Sequence, residues 1–544
     1  MTEEVRALWA SSPGDFADNI EEAIATLDRE NVVARIWDRD HTVWRPEPDE
    51  IADRLGWLTL ASDMREFLGG FTQLAHEVKD SFFKHVVLLG MGGSSLGPEV
   101  IRQTLGSGDG FPRLLVLDST APSAIRAVDR AIDPARTLFV VSSKSGGTVE
   151  PNSFYKHFRA RVIEAVGEDA TGTHFVAVTD PGTSLATLGD EDNFRRVFEA
   201  PSDIGGRYSV LSPFGLVPAV LAGVNIERLL DRAQAVVERS TADTPTAENP
   251  AAWLGAFMAA TALGGRDKLT LITSPLLARF GLWVEQLIAE STGKEGRGIV
   301  PIAGEPIADA EAYGDDRAFV YLRVEGDQNA DVDVLTERLA GAGHPLVRFD
   351  IDDAYDLGAE FFRWEFATAV AGALLNIQPF DQPNVQAAKD ATGRVLEQYK
   401  ETGELPAPVA VGQIADLLGQ AETGDYFAIM AYAQETPGVD SAVGVLRKKV
   451  MERHKIATTF GYGPRFLHST GQLHKGGPNS GLFLQLTVDD EELEIPSEPF
   501  GFRTLISAQA MGDHQALVEG QRRVVRVHLG EDAEAGLLRL LGGI

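Results

Sequence analysis

The sequence predicts an α/β protein with mainly parallel sheets, built as two tandem doubly wound units behind a helical N-terminal arm. Three observations carry that prediction. Short, β-branched apolar runs alternate with segments of helical length. The alternation pauses at a polar stretch, Thr241–Pro250, and then restarts. Ahead of it, residues 1–80 show apolar positions at three-to-four spacing instead.

In the arm, Asp15–Glu30 and Pro48–Leu68 have the helical period. The segment between them holds Trp37, Trp44, Pro46 and Pro48 and reads as packed chain. In the first unit, 81–245, strands are expected at His85–Leu89, Leu114–Leu117, Leu138–Ser142 and Phe175–Val178. The second unit, 246–490, has strand-like runs at Leu269–Thr273, Ala318–Val324 and Pro345–Asp350, with a helix over Trp283–Ala289. After a loose stretch, Glu401–Val411, further strands are expected at Phe427–Ala431, Ala457–Phe460 and Leu482–Leu486. Residues 491–544 read as a C-terminal extension, entered through an exposed acidic loop at 488–499.

Composition excludes several classes. The 544 residues include 49 Lys and Arg against 80 Asp and Glu, a net charge of −31. That balance argues against nucleic-acid or anionic-lipid partners. There is no cysteine, so thiolate nucleophiles, disulfides and Cys-ligated metals are ruled out. The most apolar stretch, Phe214–Val224, is too short and too broken by Gly and Pro to span a membrane. The acidic, mixed start MTEEVRALWA is unlike a secretory signal, so a cytoplasmic location is expected. Of the cations, 12 are Lys and 37 Arg, which draws attention to Lys144, Lys294, Lys389 and Lys475 in or beside polar loops.

Two loops after neighbouring strands suit an anion. In HVVLLGMGGSSLGPEV, a strand runs into Gly92, Gly93, Ser94 and then a helix, which aims backbone N–H groups and the positive helix end at one spot. Ser95 breaks the dinucleotide fingerprint, and no Gly-Lys-Ser/Thr follows to make a nucleotide P-loop. In TLFVVSSKSGGTVEP, Ser143, Lys144, Ser145 and Thr148 bring hydroxyls and an ammonium to a second such turn. Strand C-terminal ends of a parallel sheet share one crevice, so the two loops support a common phosphate site.

Four further motifs carry chemistry. In SDIGGRYSVLSPFG, a Gly pair precedes Arg207 and its fixed guanidinium fork. In WVEQLIAESTGKEGRG, Gln286 and Glu290 share a helical face at i and i+4. Glu290 would be half-buried near the negative helix end, and both effects raise a carboxyl pKa toward that of a useful base. In FDQPNVQAAKD, Gln382 and Lys389 are seven apart and share a face of a helix that begins early. FLHSTGQLHKGGPNSG holds His468 and His474 in a Gly-rich loop with Gln472, Lys475 and Asn479. Two histidines six apart with no adjacent carboxylate match no common metal spacing, so a proton-transfer histidine is the better reading.

Across about residues 80 to 490 these motifs resemble the glucose-6-phosphate isomerases, above all IGGRYS around Arg207 with S-P-F-G after it. FDQPNVQAAK is similar to a second signature of that family, with Asn384 in place of the usual Gly and Gln386 in place of Glu. The whole set looks most like the isomerase half of bifunctional transaldolase/glucose-6-phosphate isomerases. The resemblance implies sugar-isomerase-type units and interconversion of glucose 6-phosphate and fructose 6-phosphate without cofactor or metal. It implies that Ser143, Lys144, Ser145 and Thr148 hold the sugar phosphate, with Gly93 and Ser94 in the same crevice. Glu290 would move the proton between C1 and C2, and Arg207 would stabilise the enediolate. Gln286 and Gln382 would bind substrate, while Lys389 and a histidine open the ring.

By its fit to L-H-S-x-G-Q that histidine is His468, with His474 in reserve. The order departs from the family, where the histidine follows the Glu motif and precedes the FDQ motif; here it comes last. In the family it crosses from a partner subunit, so a homodimer is implied. Competing readings are an isomerase acting also on mannose 6-phosphate, a non-catalytic sugar-phosphate sensor, and a Schiff-base enzyme. The sensor would not need Glu290, Arg207 or Lys389, and the Schiff-base enzyme would need a Lys inside a strand, where none of the strand-like runs has one.

Overall fold

The structure is a computed structural model that describes residues 9–407 and 411–542. Its described strands are β1 (Ala10–Ser12), β2 (His85–Leu89), β3 (Arg113–Leu117), β4 (Thr137–Ser142), β5 (Phe175–Thr179), β6 (Arg196–Glu199), β7 (Lys268–Thr273), β8 (Val300–Ile302), β9 (Arg317–Val324), β10 (Leu346–Ile351), β11 (Tyr426–Tyr432), β12 (Ala457–Tyr462), β13 (Gly481–Thr487) and β14 (Arg523–His528). All ten expected strands form, with ends shifted by two residues or fewer. Every sheet pairing is parallel except that of β1 with β10, so the α/β expectation holds.

The described strands form three sheets. The first runs β3-β2-β4-β5-β6, the second β1-β10-β9-β7-β8, and the third β12-β11-β13-β14. The expected second unit, 246–490, therefore holds two sheets, and 491–544 supplies the edge strand of the third in place of a simple extension. A strand's apolar run says that it pairs but not with which neighbour, so the expected unit hid a sheet boundary. The acidic loop is also less free than expected. Asp490 accepts a hydrogen bond from Ser123 N–H at 2.8 Å and pairs with Arg126, and Ile495 is buried.

The arm differs too. Its first helix forms as Ala17–Arg29, but Pro48–Leu68 breaks into short turns, and a helix follows at Leu68–Lys79. The break has a packing cause. A Cβ at Gly56 would sit 2.4 Å from Asp203 Oδ1, and Trp57 packs on Tyr208 with ring centroids 5.2 Å apart. The arm thus braces the turn that carries Arg207. Between the units lies a core of buried helices, chiefly Pro250–Leu263 and Leu357–Leu374, whose faces are apolar nearly all round. Among the described residues no helix is long and apolar enough to cross a membrane.

Two features of the fold position a site. In the first sheet the strand order reverses between β2 and β4, and the crevice at such a switch point is where doubly wound sheets bind ligands. The helix Phe280–Thr292 lies across that crevice and is buried along its length. It turns Gln286 and Glu290 inward and Glu285 away, toward Arg447 and Ala303.

Burial pushes the Glu285 carboxyl up to about 8, offset only in part by Arg447. The folded chain therefore keeps a proton that the unfolded chain releases above the ordinary glutamate value of 4.5. Stability falls as pH rises through that window, with no cost below 4.5 and the full cost above 8. Glu285→Gln is expected to be neutral at pH 4 and to stabilise by about 3 kcal/mol near pH 7. Melting temperatures at the two pH values check this; an equal shift at both would refute it.

Candidate active site

The two phosphate-type loops meet as expected. Leu89 ends β2, and the turn through Gly92–Ser94 leads into the helix Leu96–Leu105. Gly92 has φ +58, and a Cβ there would sit 3.0 Å from the His468 Cβ. A Cβ at Gly93 would lie 2.0 Å from the Gly206 carbonyl oxygen, so only glycine lets this loop touch the Arg207 turn. Ser142 ends β4, and Ser145 and Thr148 face the crevice just before the helix Val149–Val166.

Two members of the second loop behave differently from expectation. Ser143 does not line the cavity; it is buried behind the wall and its hydroxyl donates to Thr148 Oγ1 at 3.1 Å. In this position it fixes the Thr148 hydroxyl. Lys144 does line the cavity, but its ammonium is engaged by the Asp180 carboxylate. Burial raises the Asp180 carboxyl despite that ammonium. The donors left open to an anion here are hydroxyls, backbone amides and the helix end, with Arg54 on the same wall.

Arg207 is 2% exposed and fully committed. Its Nε donates to Ser291 Oγ at 2.9 Å, and one terminal nitrogen donates to Gln382 Oε1 at 2.8 Å. The other donates to the Pro379 and Asp381 carbonyls at 2.7 and 2.8 Å. The Glu290 carboxylate lies 3.2 Å from the guanidinium. Lys294, also buried, clamps the same loop through the Gln378 and Asp381 carbonyls at 2.7 and 2.6 Å. Burial pushes the Glu290 carboxyl above the usual glutamate range, and the charges of Arg207, His468 and Lys294 pull back against it.

One turn before Glu290, the Gln286 amide donates to the His468 carbonyl at 2.8 Å. Its Oε1 is buried and accepts no hydrogen bond among the described residues, while the residue itself lines the cavity. The His468 ring lines the same cavity, with Nε2 3.0 Å from Glu150 Oε1. Glu150 also accepts from Gln509 at 2.7 Å, and its carboxyl is held low against the cost of burial, chiefly by the His468 charge. His474 is no substitute: it is buried against Phe483, and burial drives its basicity well below the histidine range.

Lys389 sits exposed at the cavity mouth, on the helix Val385–Thr402, and Gln382 precedes that helix. Asn384, one of the two departures from the family pattern, exchanges hydrogen bonds of 2.8 Å with Gln472 and so ties this segment to the His468 segment. Gln386, the other departure, bonds Asp390 on the solvent side.

The cavity is about 350 Å³. Eleven of the twelve proposed side chains and backbone positions line it, Ser143 being the exception. Sequence reasoning missed Arg54, Glu150, Asp180 and Lys294. Only Lys294 carried a signal, as a lysine in a Gly-rich loop. Among the described residues no group of three or more His, Asp or Glu side chains could hold a metal ion. The arrangement offers a buried carboxylate base beside a guanidinium, a histidine–carboxylate pair at the same cavity, and an anion cradle.

Residues 61–304 match the family model described as phosphoglucose isomerase. Glucose-6-phosphate isomerase of Rubrobacter xylanophilus is 31% identical over 375 residues, which is 60% of this chain and 86% of that protein. The chain belongs to the phosphoglucose isomerase family. A hypothetical protein from Thermus thermophilus superposes with a TM-score of 0.62 at 25% identity, over 73% of this chain and 100% of that one. A glucose-6-phosphate isomerase from Chlamydia trachomatis, 19% identical, shares the fold at a TM-score of 0.61 over 70% of this chain and 86% of its own. The family-model match stops well before β11, so the third sheet and His468 lie beyond it.

Proposed function

We infer that this chain interconverts glucose 6-phosphate and fructose 6-phosphate by ring opening and proton transfer through an enediolate. The observation that carries the inference is Glu290, buried and 3.2 Å from Arg207, in the same cavity as the two Gly/Ser loops. Ser94, Ser145, Thr148 and the Gly93 backbone hold the phosphate, at a helix N-terminus and with Arg54 near. Lys144 contributes as an ion pair with Asp180 and not as a bare cation. That anchor lies away from the reacting carbons, so its binding energy positions them.

His468, oriented by Glu150, and Lys389 serve ring opening. Glu290 then carries the proton between C2 and C1, and the Arg207 charge, held in place by its protein partners beside Glu290, stabilises the negative charge that develops on the substrate oxygen. Gln286 and Gln382, both lining the cavity, bind substrate. None of these steps calls for a metal or a redox cofactor. A cytoplasmic setting and a homodimer belong to the same proposal, but pairing is not required to supply a histidine.

The test is a coupled assay of fructose 6-phosphate conversion to glucose 6-phosphate, with and without EDTA. Fast, chelator-insensitive turnover is expected. Tight sugar-phosphate binding without turnover would refute the isomerase and favour a sensor.

A further inference from the structure

His468 stands on a bridge between units. It ends the turn Arg465–His468, which leaves β12 of the third sheet, yet its ring and carbonyl are both bonded outside that sheet. The docking around it is buried and polar. Arg465 makes a two-pronged ion pair with Asp118 at 2.8 and 2.9 Å, beyond the end of β3. Thr120 donates to Gln509 at 2.7 Å, Gln509 donates to Glu150, and Glu150 meets His468. That chain alternates between the first unit (Thr120, Glu150) and the third (Gln509, His468).

A second line of docking runs to the middle unit. Buried Arg447 donates to the Ala303 and Gly304 carbonyls at 3.0 and 2.6 Å, and Glu305 accepts from Thr458 N–H at 2.7 Å. Gln472 donates to the Gly293 carbonyl at 2.9 Å, three residues beyond Glu290. The helix that carries Lys389 packs on Phe502–Glu519 so closely that a Cβ at Gly512 would sit 2.6 Å from Thr392 Oγ1.

We propose that the third sheet delivers His468 to the active site of its own chain, so that one chain is a complete catalytic unit. The proposal rests on the isomerase reading for the role of His468, but its geometry does not. Withdrawing the third unit would take Arg465 from Asp118, His468 and Gln509 from Glu150, and Arg447 from the Ala303 and Gly304 carbonyls, which is costly. A histidine from a second copy would have to bring that copy's whole third unit into the same seat. The unit that places His468 also backs the Lys389 helix, so both ring-opening groups are set by one docking event.

The absence of cysteine makes the test clean. Ser123 and Asp490 touch across the same border and lie outside the catalytic machinery. In the full-length S123C/D490C variant, a short bis-maleimide at low protein concentration is expected to give a species that runs as one chain on a denaturing gel. Peptide mapping should show the link within that chain. A linked pair of chains, or no link, overturns the proposal. The activity arm co-expresses E290Q with H468N. Chains that each own a full site recover no activity, whereas shared sites in a two-fold dimer recover about a quarter of wild type by random pairing. An internal link in a wild-type background that shows no turnover would sink the isomerase reading and leave the docking intact.

Discussion

Glu290→Gln is expected to lower kcat by about 10³-fold while leaving sugar-phosphate affinity within about threefold. Gln keeps the shape of the side chain and an oxygen that can still accept from Arg207, whose guanidinium lies 3.2 Å away. What it removes is the basic lone pair. The phosphate cradle, on the loops after β2 and β4, does not touch this helix position and stays intact. Because burial raises the Glu290 carboxyl, the wild-type rate falls on the acid side at a pH above the usual glutamate range. The protonated form cannot accept the substrate proton, so the rate rises with pH through that value. The variant lacks this limb altogether. Turnover by coupled assay and binding of sorbitol 6-phosphate, which has no carbonyl, separate the two effects. More than a tenth of wild-type kcat in the variant would remove Glu290 from the role of base.

Much of the site is written in local sequence. The Gly-rich turn at Gly92–Ser94 and the turn at Ser145–Thr148 each follow a β-branched run and open a helix, and both land at the switch point. Glu290 was legible because its helix has a buried face that ends at Gly293. What escaped depends on distant pairing. β1, β6, β8 and β14 went unseen, and all four are edge strands. An edge needs only one neighbour and tolerates charge, as in RVVRVH at Arg523–His528, or a length of three residues, as in β1 and β8.

Glu150 and Asp180 escaped for a related reason. Each looks like ordinary surface acid in the sequence, and each acquires its meaning from a residue far along the chain, His468 and Lys144 respectively. Ser143 differs in the opposite direction: it lies just past the end of β4, buried with its hydroxyl on Thr148, while Ser145 lines the crevice. The late position of His468 in the chain looked like an obstacle. The third sheet removes it, since β12 ends where the other two units already meet.

Arg207→Met is expected to cost about 10²- to 10³-fold in kcat, the scale set by removing one preorganised electrostatic group beside a developing oxyanion. The same change strips the Pro379 and Asp381 carbonyls, Ser291 and Gln382 of their shared donor, so stability should fall by about 3 kcal/mol. A purely structural role would predict that second effect alone. The distinguishing signature is the pH profile. Arg207 supplies the largest of the charges that hold the Glu290 carboxyl down against burial. Without it the carboxyl rises further, and the acid limb of kcat moves to higher pH. Arg207→Lys retains a charge but cannot reach all five partners, so it should restore part of the limb position and little of the stability. If Met and Lys variants share the wild-type limb, Arg207 acts as a strut for the loop at Pro379–Asp381, and the cation that faces the enediolate must be sought in Lys294.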